Sequence, residues 1–464
     1  MGARSTLCRV LHQFQSLTRF SPRVSVVLEG DPEKQHTYTT YEWVKGKAIV
    51  TVDVETPFDA IRISFEGVAT TSTERATYSL RTAIATQTFL RLIQPIASSQ
   101  YPTPRVLRPG HHYEFPFSFV IPPAVSPQSC DHDIKSTHVQ LAHQMLPPTV
   151  NDPRLRYDDR CPRDEQVPGS CRIAYSVRVV LKGRSSRSSK MANLVDYQRG
   201  VRVMPLAEPM YCLGGDILRP GIYTRTEQSL TYGTAIDRSG QVVVTSHTLP
   251  VLLSYSSEGT AGKVQLNLRF NPIGNASPPH LKRVVATLQS TTFYSTTPWE
   301  DYPSLTDRGL ANGWEREACI ESFPIVSSHK GPLAWVAHSR YGSTSTRNSS
   351  ISLSEDIYYT ACIALDVALP PEQTYLPTFH SCLISRTYNL NLCLSYRTPA
   401  TNNSLPNTTC HIPVRLLYTR NEPSMISSQA TPDPLGVDFD DTKFEYQQQL
   451  TQLPAYSDVI AGLI

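Results

Sequence analysis

The residues best suited to chemistry in this 464-residue chain crowd between His111 and Cys171, where His112, Cys130, His132, His138, His143 and Cys161 also fall. Imidazole and thiolate are the preferred zinc ligands, and zinc sites are usually announced by tight pairs that fix two ligands on one turn. The spacings here are loose, and the segment's prolines mark it as loop. Ordinary polar loop residues are therefore the expectation, a structural zinc is the alternative, and no cofactor is required. Asp131 and Asp133 flank His132 and offer two carboxylates, but adjacent acids in a proline-rich loop are normally solvated rather than paired across a substrate.

The remaining search for catalysis finds little. HExxH, GxSxG and a strand-borne GxGxxG are absent from the sequence. EGTAGKV has the look of a phosphate loop, yet Ser257 stands where the first glycine is needed and Val264 replaces the magnesium-binding hydroxyl, so a turn is expected. The chain reads as a non-enzyme. Ser185, Ser186, Ser188 and Ser189 lie among Arg184, Arg187 and Lys190 and form a candidate phosphorylation cluster, as does the run Ser343 to Ser352.

These residues must be positioned by something, and the composition limits what. Hydrophobic content of 40% with 18% charge is that of a globular chain, and a net charge of +3 demands no nucleic acid. The length suits two large domains. Thirty-seven prolines and 23 tyrosines fit short strands joined by loops. Ten cysteines without CxxC pairs read as free thiols in a reducing compartment. Sequons begin at Asn275, Asn348, Asn402 and Asn407 and would matter only on secretion, for which no signal peptide is visible. The first 23 residues hold four arginines and no acid, so an N-terminal extension is expected, with a mitochondrial presequence as the alternative.

Period-two alternation dominates the chain. In CRIAYSVRVVLKG, Cys171, Ile173, Tyr175, Val177, Val179 and Leu181 share one face. GKVQLNLRF and RTYNLNLCLSY repeat the pattern, and AIRISFEGV sets Ile61, Ile63 and Phe65 against Arg62, Ser64 and Glu66. Half-buried strands of this kind build antiparallel sheets with one wet face. The expected fold class is all-β: two tandem antiparallel β-sandwiches with a disordered C-terminal tail. The expected divisions are an extension over 1–20, a first sandwich over 21–205 with a loop insertion near 124–169, a second over 206–420, and a tail over 421–464.

Several segments taken together resemble the arrestin family. Tyr41 to Ala69 is similar to the opening strands of an arrestin N-terminal domain, ending in a Phe-x-Gly turn at Phe65-Glu66-Gly67. VLRPGHHYEFPFSFVIPP, Val106 to Pro123, resembles the family's Pro-Gly turn, F-P-F-x-F strand and Ile-Pro exit. LPTFHSCLISRTYNLNLCLSY and CHIPVRLLY are similar to the end of an arrestin C-terminal domain. The resemblance is to the α-arrestin branch common in fungi, and it spans about 400 residues.

What the resemblance implies is an adaptor. α-Arrestins engage plasma-membrane transporters or receptors as cargo and recruit HECT-type ubiquitin ligases, whose WW domains bind short PY motifs. Leu453, Pro454 and Tyr456 in LPAYSDV fit the Leu-Pro-x-Tyr form of that motif. The proline pre-forms a polyproline II segment that loses little entropy on docking, and the tyrosine fills a second pocket. The expected function is ubiquitin-dependent endocytosis and sorting, in the cytoplasm with peripheral recruitment to plasma membrane or endosomes. Lys443, near the motif, is a candidate ubiquitin acceptor. The alternative is a scaffold or retromer-like sorting subunit that acts without a ligase.

Overall fold

A computed structural model of the chain describes residues 22–30, 36–75, 81–155, 167–185, 188–206, 225–232, 237–246, 251–256, 259–306, 310, 315–329, 333–339, 357–370, 375–397 and 407–419. All of them belong to one compact unit, Met1–Asn421. Ser186, Cys161, Lys443, the run Ser343 to Ser352 and the LPAY motif lie outside the described residues.

The first half sets a three-stranded sheet of Arg23–Leu28, Trp43–Thr51 and Tyr113–Val120 beside a five-stranded one. The second sheet runs Thr37–Tyr38, Ser188–Val203, Cys171–Ser185, Ala60–Arg75 and Arg81–Gln94. The alternating residues Ile173, Tyr175, Val177, Val179 and Leu181 are all fully buried between the sheets. Phe115, Phe117 and Phe119 of the F-P-F-x-F strand meet them in one core. Phe65 stacks on Phe119 at 5.9 Å and on Tyr175 at 6.0 Å between ring centroids. Pro116 is tolerated because its strand is a sheet edge, paired only with Trp43–Thr51, so no ladder loses a donor there.

Two local expectations need correction. Phe65-Glu66-Gly67 is not a turn; it lies inside the long strand Ala60–Arg75, with a register shift between Gly67 and Val68. Gly67 is required there because a Cβ would lie 2.6 Å from the Phe89 ring and 3.1 Å from Tyr175. Ser64 and Glu66, expected to face water, are buried. Their strand is central, and Arg91 and Arg178 of the two neighbouring strands close over Glu66 at 3.1 and 3.3 Å.

The second half is one continuous sheet folded over a second core. The strand Gly259–Pro272 pairs first with Val251–Ser256 and then with Ile357–Ala368. Arg316–His329 likewise pairs with His280–Ser295 up to Ile325 and with Ile357–Ala368 from Val326. Strands that switch partners in this way turn the corners of a sandwich. Val251–Ser256 and Gly259–Pro272 pair antiparallel, with Ser256 opposite Gly259, and Gly259 to Val264 of EGTAGKV are strand. Among the described residues, pairing is antiparallel except for Thr37–Tyr38 on Ser188–Val203 and Val251–Ser256 on Asn407–Tyr418, which are parallel.

The segment after Pro123 is more structured than its prolines implied. It carries a 3-10 turn, Pro127–Ser129, and an α-helix, Thr137–Gln144, N-capped by the Ser136 hydroxyl accepting from Val139 N–H.

Candidate metal centre

The inserted segment is tied to both halves. From the first half, Gln87 Nε2 donates to the Ser129 carbonyl at 3.0 Å. From the second, Tyr302 Oη donates to the His138 carbonyl at 3.2 Å, and Lys135 N–H donates to the Glu300 carbonyl at 2.9 Å. The surface beneath is continuous, since Tyr294, Leu376, Leu383 and Ile384 pack into the first core. Thr71 Oγ1 donates to the Ser295 carbonyl at 2.7 Å.

Within this junction the 3-10 turn delivers Cys130, whose amide donates to Pro127 O, and the helix delivers His143 from its last turn. The second half supplies Cys382 from the tight turn between Phe379–His380 and Ile384–Arg397. That turn is braced by Ser381 Oγ donating to Ile384 O at 2.8 Å and by Trp299, whose backbone N–H donates to Cys382 O at 2.8 Å. The result is a compact group of four donors. Cys130 Sγ lies 3.0 Å from His132 Nε2, 3.4 Å from His143 Nδ1 and 3.3 Å from Cys382 Sγ. Cys382 Sγ lies 3.7 Å from His143 Nδ1, and all four donor atoms fall within 4.8 Å of one another.

A further layer orients these groups. His132 Nδ1 sits 3.0 Å from the Asp133 carbonyl, which only accepts, so Nδ1 carries the proton and Nε2 is left as a lone pair facing Cys130. His143 Nε2 lies 3.0 Å from His380 Nε2, and the Tyr302 ring packs 4.8 Å from the His380 ring. Burial first, and then neighbouring His143, holds the His380 imidazole well below its usual range and so neutral. The contact between the sulfurs pulls the Cys382 thiol down, reinforced by His143 against the opposing effect of burial, and pushes Cys130 up.

The cluster takes only part of the set expected from sequence. Cys130, His132 and His143 come together; His111 and His112 are exposed near the Pro-Gly turn, and Cys171 is buried in the first core. Asp131 and Asp133 are exposed. Against an expectation of ordinary polar loop residues, with a structural zinc as the alternative, the structure brings Cys130, His132 and His143 together with Cys382. Cys382 and His380 were missed because they lie 252 and 237 residues from their partners. One signal was available: Cys130-Asp131-His132 and His380-Ser381-Cys382 are both one-residue-spaced His/Cys pairs. Of the serine cluster, Ser185 ends one strand and Ser188 and Ser189 begin its hairpin partner.

Order of elements, the aromatic core and the F-P-F-x-F edge strand are joined by a direct comparison: residues 26–196 match the family model of the arrestin (or S-antigen) N-terminal domain. Over residues 26–196 the chain is arrestin-like. The match covers most of the first core and the whole inserted segment, so the Cys130, His132 and His143 side of the cluster lies inside the arrestin-type domain, while Cys382 lies beyond it. No curated protein matches the arrestin-like chain.

Proposed function

We propose that this arrestin-like protein is a non-enzymatic adaptor of the α-arrestin type, linking membrane-protein cargo to a HECT-type ubiquitin ligase through Leu453, Pro454 and Tyr456. The observation that carries the reading is the pairing of an arrestin N-terminal domain over 26–196 with a Leu-Pro-x-Tyr sequence near the other end of the same chain. An arrestin-type domain supports a trafficking or adaptor role in general terms, and the tetrapeptide supplies the step toward ubiquitin. Its proline and tyrosine match the two pockets of a WW domain, and Asp458 and Val459 continue the motif. Lys443 is the acceptor expected if the ligase also modifies its adaptor, and Ser185, Ser186, Ser188 and Ser189 are the expected regulatory phosphorylation sites. The cargo is expected to be a plasma-membrane transporter or receptor, met by a cytoplasmic protein recruited to plasma membrane or endosomes.

The test is a titration of the full chain against isolated WW domains of HECT ligases. Tyr456→Ala should lower affinity at least about 100-fold, as expected for loss of an aromatic anchor worth roughly 3 kcal/mol. Equal binding by wild type and Tyr456→Ala would remove the ligase from the mechanism and leave the scaffold or sorting-subunit reading in its place.

A further inference from the structure

We propose that Cys130, His132, His143 and Cys382 form a closed tetrahedral zinc site that staples the inserted segment of the arrestin-type domain to the second half of the chain. This goes beyond the adaptor reading and does not depend on it.

The donor set comes first. Two sulfurs and two imidazole nitrogens suit zinc, a borderline-soft ion without geometric demands of its own, better than magnesium or calcium, which take oxygen. Their spacing follows. With metal–sulfur bonds of about 2.3 Å and metal–nitrogen bonds of about 2.0 Å, tetrahedral edges run from roughly 3.3 to 3.8 Å. Four of the six edges, at 3.0, 3.3, 3.4 and 3.7 Å, lie within about half an ångström of these values, and the two others, from His132 Nε2 to His143 and to Cys382, stay within 4.8 Å. A disulfide, by contrast, would need the two sulfurs to close from 3.3 Å to about 2.05 Å.

The outer contacts decide between a chance cluster and a built site. A ligating histidine normally donates its other ring N–H to a fixed acceptor. Both histidines here are arranged for it. His132 donates from Nδ1 to Asp133 O and presents Nε2; His143 presents Nδ1 and can donate from Nε2 to His380 Nε2. His380 lies 8% exposed, and its own Nδ1 is buried without a hydrogen-bond partner among the described residues. Accepting at Nε2 places the His380 proton on Nδ1, and that unpaired N–H is what the arrangement costs.

The charge also balances. Binding Zn²⁺ converts both thiols to thiolates and releases the protons they carry to solvent, leaving a neutral centre between two neutral imidazoles. Four protein donors leave no open position, which marks a structural rather than a catalytic site. Since Cys130 and Cys382 lie 252 residues apart, ion binding adds a cross-link between the two halves of Met1–Asn421.

The experiment uses the full chain, purified without a polyhistidine tag from zinc-supplemented culture. Elemental analysis should find about one zinc per chain, and exchange with Co²⁺ should give tetrahedral d–d bands with a thiolate-to-cobalt charge-transfer band. Cys130→Ser and Cys382→Ser should each lose the metal, whereas Cys410→Ser, a buried thiol outside the cluster, should keep it. Cys130 is only half-buried, so Cys130→Ser keeps the test open if Cys382→Ser fails to fold. His380→Ala should weaken zinc binding by about 10- to 100-fold, the effect of losing an outer partner. Zinc-free wild type with no tetrahedral cobalt spectrum would overturn the proposal. So would full zinc occupancy in Cys130→Ser, or a Cys130–Cys382 disulfide peptide recovered under non-reducing, thiol-blocked digestion.

Discussion

The His/Cys cluster and the LPAY motif are opposite kinds of site. One is assembled from residues 252 positions apart and depends on a turn, a helix and a hairpin all folding correctly. The other is spelled by four consecutive residues, Leu453 to Tyr456. An assembled site is fragile and sensitive to mutations that never touch its donors. A linear motif should be portable and indifferent to the fold that carries it.

The largest effect that separates the two is expected from Trp299→Ala. Trp299 is 1% exposed, packs edge-on to Phe293, carries Arg316 over its ring at 4.8 Å, and donates from Nε1 to Leu383 O. Emptying that space should cost about 3–5 kcal/mol in chemical denaturation. Its backbone still holds Cys382, but the turn loses its wall, so zinc binding should weaken as well. WW-domain binding through Tyr456 should not change in whatever fraction remains folded. Loss of both together would show that the motif depends on the junction and would dissolve the contrast.

Tyr302→Phe asks a finer question. It keeps the ring against His380 and removes one hydrogen bond to the helix at His138 O. A loss of roughly 1 kcal/mol is expected. If that small change also lowers zinc affinity, the helix is positioned by the second half of the chain; if affinity is unmoved, the helix holds His143 on its own.

An ion pair that shares no residue with either site sets the scale for background effects. The Asp196 carboxyl is lowered by its hydrogen bond to Arg178, with Oδ2 and Nη2 at 2.6 Å. A carboxyl whose folded pKa lies below its unfolded value stabilises the protein above about pH 4, and that contribution disappears as pH falls through the folded value. Asp196→Asn should therefore flatten the acid limb of stability while costing less than about 1 kcal/mol at pH 7, because the pair is partly exposed. It should alter neither zinc content nor WW binding.

How much of this was legible in the sequence follows the same divide. Alternation in Cys171 to Leu181 and Tyr388 to Tyr396 gave the buried faces directly, because the side-chain period of a strand is local. Ser64 and Glu66 were misplaced because their cover comes from Arg91 and Arg178 on neighbouring strands, and pairing order is not local. The parallel pairing of Val251–Ser256 with Asn407–Tyr418 was hidden for that reason too. Three of the four donors were visible as residue types between His111 and Cys171, but the group could not be recognised while Cys382 stood 252 residues from Cys130. The proline-rich spacing argued for loop, which holds at Cys130 and His132 but not at His143, carried by the helix Thr137–Gln144.

The smallest expected effect is the one that tests the linear half of the contrast. Removing the residues after Pro423 should abolish WW binding and leave the unfolding free energy of the remainder unchanged within about 0.5 kcal/mol, the additivity expected of independent sites. The same segment fused to an unrelated carrier should bind a WW domain within a factor of about two of the full chain, by the same independence. A clear loss of stability on truncation would mean that Leu453, Tyr456, Val459 or Ile460 is spent on packing, and a side chain committed to a core is not free to enter a WW pocket. Stability unchanged but binding weaker from the carrier would instead place part of the ligase contact on the arrestin-like body, making that contact an assembled site as well.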